Sequence, residues 1–218
     1  MNRTSTILVG LAIAAAGQSI AAHVVNFRPF IYFFKPLALL LLLCYAIRNA
    51  LTSKLSSSRW ISFGLALSLC GDIFLMWPDR LFRHGLLAFL LAHVSYLMAF
   101  TRGIKFPANR LVVVGFLGFA AVDYFSLYSN LPQGLALPVA IYSFAVTTMA
   151  AQALGRYLLL RTSAAMLAAI GAIFFVISDT LLGFDRFHTA IPLAPVFVLV
   201  PYYVAQLLIA LSTLPVHS

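Results

Sequence analysis

The sequence predicts an all-α polytopic membrane bundle of about eight transmembrane helices. Stretches of about 20 apolar residues, the length that crosses a bilayer as a helix, recur along nearly the whole chain. Only 9% of the 218 residues are charged, against roughly 25% in a soluble domain. The turn formers Pro29, Pro78, Pro107, Pro132 and Pro192 fall between the apolar stretches, and Ser53 to Ser58 forms a polar link. Nothing remains for a soluble domain, so residues 1–218 are expected to form a single integral membrane domain.

The expected spans are roughly 6–24, 31–49, 60–77, 84–101, 110–127, 136–154, 164–183 and 193–213. The first follows Arg3 and ends in small residues, Ala21 and Ala22, a pattern shared with signal peptides. Its length and the span that closely follows favour a retained helix. Span two opens on Lys35-Pro36. Span three carries Asp72, span four His93 and Tyr96, span seven Asp179, and span eight Tyr202, Tyr203 and Gln206. Trp77, Tyr124 and Tyr128 read as an interfacial aromatic belt. Cys44 and Cys70, inside apolar spans and without metal-ligand spacing, read as buried thiols.

Lys and Arg set the expected orientation. With the N-terminus inside, nine fall in inside loops, Lys54 among them, and five at outside ends. Both termini are therefore expected in the cytoplasm, and a bacterial inner membrane is the expected location. The formal charge of +9 is dispersed over short loops, which suits topology and anionic headgroups and argues against nucleic acid as a partner.

Five aspartates and no glutamate make up the acidic residues. Asp72 and Asp179 lie inside apolar spans, where an ionised carboxylate costs ~2.5–3.5 kcal/mol on insertion scales. Such residues mark function by default, so this pair is the candidate catalytic centre. Both are placed in the outer half of their spans at similar depth, able to meet if their helices pack. Asp79 and Asp185 read as solvated loop charges, and Asp123 as a membrane-edge residue rather than a third site carboxylate. Asp72 and Asp179 stand 107 positions apart, as do Tyr96 and Tyr203, which suggests a parallel four-plus-four repeat.

His93 and Tyr96 share one helical face at i,i+3, and Tyr202 and Gln206 another at i,i+4. With Tyr203 and Lys35 they could line one cavity with the aspartates, where their polar atoms find the partners that lipid lacks. For His93 the plainer reading is a hydrogen-bonded packing residue, and for Lys35 a side chain that snorkels to headgroups. No hydrolase nucleophile elbow, metal-binding histidine pair or phosphate loop occurs.

In sequence order come Lys35-Pro36, Gly71-Asp72-Ile73-Phe74-Leu75-Met76, then Phe82, Gly85, Phe89, His93 and Tyr96. Gly171-Ala172-Ile173-Phe174-Phe175 with Ser178-Asp179, and Tyr202-Tyr203-Val204-Ala205-Gln206, complete the set. In these pieces, across spans two to eight, the chain resembles the lysoplasmalogenase, or YhhN-like, family of multi-span membrane proteins. The resemblance implies hydrolysis of the vinyl ether bond of a lysoplasmalogen to a fatty aldehyde and a glycerophospho-alcohol. It implies no metal or organic cofactor, a lysophospholipid-type substrate among membrane lipids, and Asp72 and Asp179 as the catalytic pair. The chemistry agrees. A vinyl ether hydrolyses by protonation of its β-carbon to an oxocarbenium ion, which needs one protonated carboxyl and one carboxylate to orient water and stabilise the cation. Two carboxyls in one apolar site do not both ionise cheaply, so one keeps its proton. His93, Tyr96 and Tyr203 would orient the pair or the water, and Lys35 would hold the phosphate.

Two other readings compete. A proton-coupled transporter would use the aspartates as relay groups, although no Gly/Pro-broken helices occupy corresponding positions of the two halves. An intramembrane aspartyl protease would need a GxGD pattern, and neither aspartate sits in one.

Overall fold

Apolar length and flanking turn chemistry produce eight α-helices among the described residues, 3–53 and 55–213 of a computed structural model. They are α1 (Arg3–Val24), α2 (Arg28–Ser53), α3 (Ser56–Phe74), α4 (Pro78–Phe100), α5 (Arg110–Tyr128), α6 (Ala136–Leu160), α7 (Ser163–Phe187) and α8 (Ala194–Leu211). Seven are long and apolar enough to cross a membrane. The exception is α3, whose apolar content is diluted by Ser56, Ser57, Ser58, Ser62, Ser68 and Asp72. It is nevertheless enclosed by α2, α4 and α8. The chain is an integral, multi-pass membrane protein.

The helices start and stop for local reasons. Asn109 and Thr162 cap α5 and α7 by accepting the backbone N–H of Val112 and Ala165. Pro78 opens α4, where its missing N–H costs nothing. Span three therefore ends at Phe74, three residues short of expectation, and Leu75 to Trp77 form the turn before Pro78. Span seven runs on to Phe187, four residues further than expected. Lys54, one of the inside charges, lies outside the described residues.

Sequential helices pack as antiparallel neighbours, with one break. The backbones of α4 and α5 do not meet; α4 packs on α6 instead, and α8 closes against α1, α2 and α3. Small residues permit the close approaches that hold the interior, as is usual between membrane helices. A Cβ at Gly171 would stand 2.9 Å from the Ala205 carbonyl oxygen, so α7 and α8 touch backbone to backbone there. A Cβ at Gly71 would stand 2.6 Å from the Phe89 ring, so this glycine seats Phe89 beside Asp72.

Cys44 and Cys70 are exposed, not buried. Their apolar surroundings in sequence are lipid-facing helix surface, since in a bilayer an apolar residue satisfies the outside as well as the core. Trp77 and Tyr128 are exposed near helix ends, as an interfacial belt requires.

Candidate active site

The turns α1–α2, α3–α4, α5–α6 and α7–α8 gather at one end of the bundle and line a connected set of cavities there. The two interior aspartates lie below them, but on helices that are not neighbours. The backbones of α3 and α7 do not approach each other; α4 and α8 stand between. Asp72 and Asp179 therefore each have their own set of partners.

Asp72 is 2% exposed. Tyr202 of α8 donates to its Oδ2 at 2.6 Å, and the Lys35 ammonium of α2 lies 3.4 Å from Oδ1. Lys35 was expected as a headgroup contact or a snorkelling side chain. It is 6% exposed and engaged in this ion pair, although it borders two cavities at the bundle end.

Asp179 is held from α4 and α6. Tyr142 donates its hydroxyl to Oδ2 at 2.8 Å. His93 Nε2 stands 3.2 Å from the same oxygen and 3.0 Å from the Tyr142 hydroxyl. The single hydroxyl proton of Tyr142 goes to Asp179, which assigns the second proton of the triangle to His93 Nε2. The buried Nδ1 of His93 has no partner, which suits a lone pair better than an N–H.

Phe175 joins the two clusters. Its ring lies 4.6 Å from the His93 ring and 5.6 Å from that of Tyr202, both edge-on, with Phe89 6.3 Å away. The backbones of α4 and α7 stay apart, and these large side chains fill the gap.

The remaining expected site residues divide. Tyr96 donates to Gln206 Oε1 at 2.8 Å and approaches Ser68 Oγ at 3.4 Å. This buried set touches Phe175 but neither carboxylate directly. Tyr203 turns away and donates to Ser19 of α1 at 2.9 Å. The single shared cavity expected from sequence is thus three polar clusters plus the Tyr203–Ser19 pair.

Among the described residues, Asp179 opens on a cleft that Asp72 does not border. This narrow, mainly apolar cleft of about 60 Å³ lies between α4, α5, α6 and α7. Phe89, Phe119, Leu127, Val139 and Val146 supply apolar walls, and Leu75, three residues beyond Asp72, closes one side. Asp123 lines the cleft as well, with a buried Oδ1 that has no partner. This corrects the edge assignment: Asp123 faces inward, beside the Thr180 hydroxyl. Sequence reasoning also passed over Tyr142, which lies as far beyond Lys35 as Asp179 lies beyond Asp72. Arg186, at the cleft mouth, was passed over too. Among the described residues, no three His, Cys, Asp or Glu side chains gather in a metal-binding arrangement.

The YhhN family model matches residues 30–213. A rat protein named lysoplasmalogenase TMEM86B is 34% identical over 182 residues, covering 83% of this chain and 70% of its own length. A mouse protein of the same name is 35% identical over 175 residues, covering 79% and 72%. A cattle protein named lysoplasmalogenase TMEM86A is 32% identical over 178 residues, with the same two shares, 79% and 72%. No solved structure matches the chain. The matched region holds both interior aspartates and every partner described for them, and the chain belongs to the YhhN family.

Proposed function

We propose that this protein is an ether-lipid hydrolase that cleaves the vinyl ether bond of lysoplasmalogens, in a bacterial inner membrane. The observation that carries the reading is Asp179 at an apolar cleft with two donors converging on one of its oxygens. The names of the related rat, mouse and cattle proteins support the same substrate class.

In this reading Asp179 is the acid. Its Oδ1 delivers a proton to the β-carbon of the vinyl ether, and Tyr142 and His93 stabilise the negative charge that remains on the carboxylate. Asp72, salt-bridged to Lys35, is the charged partner. It acts from behind Phe89 and Leu75, where a low dielectric lets its field support the oxocarbenium ion. Water adds to that cation and gives up a proton to a carboxylate, for which Asp123 and its open Oδ1 are suited. The hemiacetal then collapses: its hydroxyl proton returns to Asp179 as the carbonyl forms, its C–O bond breaks, the departing oxygen takes the proton held by Asp123, and aldehyde and glycerophospho-alcohol leave with both carboxyls restored.

Aldehyde release from 1-alkenyl-glycerophosphocholine by the purified protein tests this. Asp179→Asn is expected to lose at least about 100-fold in kcat, the low end of general acid catalysis. Asp72→Asn is expected to lose activity, and so is the Lys35→Met, Asp72→Asn double variant, in which no unpaired buried charge remains to weaken folding. An unmodified protein that releases no aldehyde would overturn the assignment, and near-normal turnover by Asp179→Asn would remove the proposed acid.

A further inference from the structure

We propose that Arg186 binds the substrate phosphate and that α7 acts as a ruler between this group and Asp179. The inference rests on the hydrolase reading for its substrate, but its test does not need turnover.

Arg186 follows Asp179 by seven residues within α7. Seven residues are nearly two full turns, so both side chains leave the same face, about 10 Å apart along the axis. Both line the same cleft, with Gly183 between them. In a lysoplasmalogen about seven bonds separate the β-carbon that receives the proton from the phosphorus, roughly 8 Å when extended. A lipid with its vinyl ether at Asp179 therefore brings its phosphate within reach of a guanidinium two turns along the helix.

Arg186 is also free to change partners. Its side chain is 40% exposed, and its ion pair with Asp79 is long, 3.8 Å, to a carboxylate that is 93% exposed. Solvent screens such a pair heavily, so exchange for a phosphate meets little resistance. The guanidinium lies 5.4 Å from the Phe82 ring centre, and Phe82 is itself a cleft residue, so the planar group is held at the mouth. The guanidinium fork matches phosphate geometry.

The other cations are less suited. Lys35 is committed to Asp72. Arg80 and Arg83 line a separate cavity of about 500 Å³ that meets the cleft only at Phe82, Arg186 and Phe187. Among the described residues, Arg186 is the one Lys or Arg that borders the cleft.

The test uses two ligands that protonation does not cleave: 1-O-alkyl-glycerophosphocholine and 1-O-alkylglycerol, which lacks the phosphate. Equilibrium binding is measured for the full chain and for Arg186→Ala and Arg186→Lys. Arg186→Ala is expected to weaken binding of the phospholipid by roughly 10- to 100-fold, as loss of a charge-assisted hydrogen bond does. Binding of 1-O-alkylglycerol should stay unchanged, which also reports that the variant is folded. Arg186→Lys should fall between, because it keeps the charge and loses the fork. Unchanged phospholipid binding by Arg186→Ala, or equal weakening for both ligands, would overturn the proposal. Selective weakening by a protein that releases no aldehyde from the vinyl ether would leave Arg186 in place and count against the hydrolase reading instead.

Discussion

Lys35 on α2 and Tyr142 on α6 stand 107 residues apart, and each approaches one of the two interior aspartates. Lys35 lies 3.4 Å from Asp72, and Tyr142 donates to Asp179 at 2.8 Å. The 107-residue offset between them is the offset between the aspartates. The second partner is Tyr202 on α8 for Asp72 and His93 on α4 for Asp179. The two aspartates share this offset but sit in different chemistry. One aspartate meets an ammonium group in a buried site, and the other meets a tyrosine hydroxyl and an imidazole beside a cleft.

That difference predicts different costs. Lys35→Met leaves the Asp72 charge buried without its cation and should destabilise the protein by about 3–5 kcal/mol. Adding Asp72→Asn should recover much of that loss, because no unpaired charge remains. Thermal unfolding of the single and double variants in detergent measures the coupling, and purely additive effects would contradict a buried ion pair.

Tyr142→Phe keeps the ring but removes a donor from Asp179. The expected outcome is a fall in kcat of about 100-fold with little change in KM, since the donor acts on charge that develops during proton transfer. An equal change in KM alone would mean that Tyr142 serves substrate binding and leaves the acid unaffected.

Asp123→Asn should fold normally and lower aldehyde release by at least about 10-fold, less than Asp179→Asn, because water still reaches the cation without it. If Asp123→Asn matched the unmodified protein in steady-state turnover, the water-positioning role would be excluded.

Gly71→Ala should displace the Phe89 ring, since the added methyl carbon would stand 2.6 Å from it. Overpacking of this kind typically costs about 1–3 kcal/mol. Because Phe89 also lines the cleft, the variant should lose activity together with stability. Phe89→Leu in the same background should restore part of both, and failure to do so would place the strain elsewhere.

Much of the fold was legible because the bilayer demands it. Every backbone polar group in lipid must be paired within its own helix, and the hydrocarbon thickness sets helix length. Eight helices and their approximate limits follow from apolar runs and prolines. Asp72, Asp179, Lys35, His93 and Tyr202 were legible as polar residues that lipid does not tolerate singly. Tyr142 and Asp123 were not, since a tyrosine or aspartate near a helix end reads equally well as interfacial.

By itself, the sequence determined the helical membrane class, the polar residues that had to find partners, and the offset relating two aspartates. Only the tertiary structure decided that these aspartates lie on separated helices, that Lys35 pairs with one and Tyr142 with the other, and that Asp123 and Arg186 share the cleft with Asp179. The physical reason is the solvent. In water an apolar stripe reveals which face of a helix turns inward, but in lipid both faces are apolar, and helix rotation is settled by packing and by hydrogen bonds between distant residues.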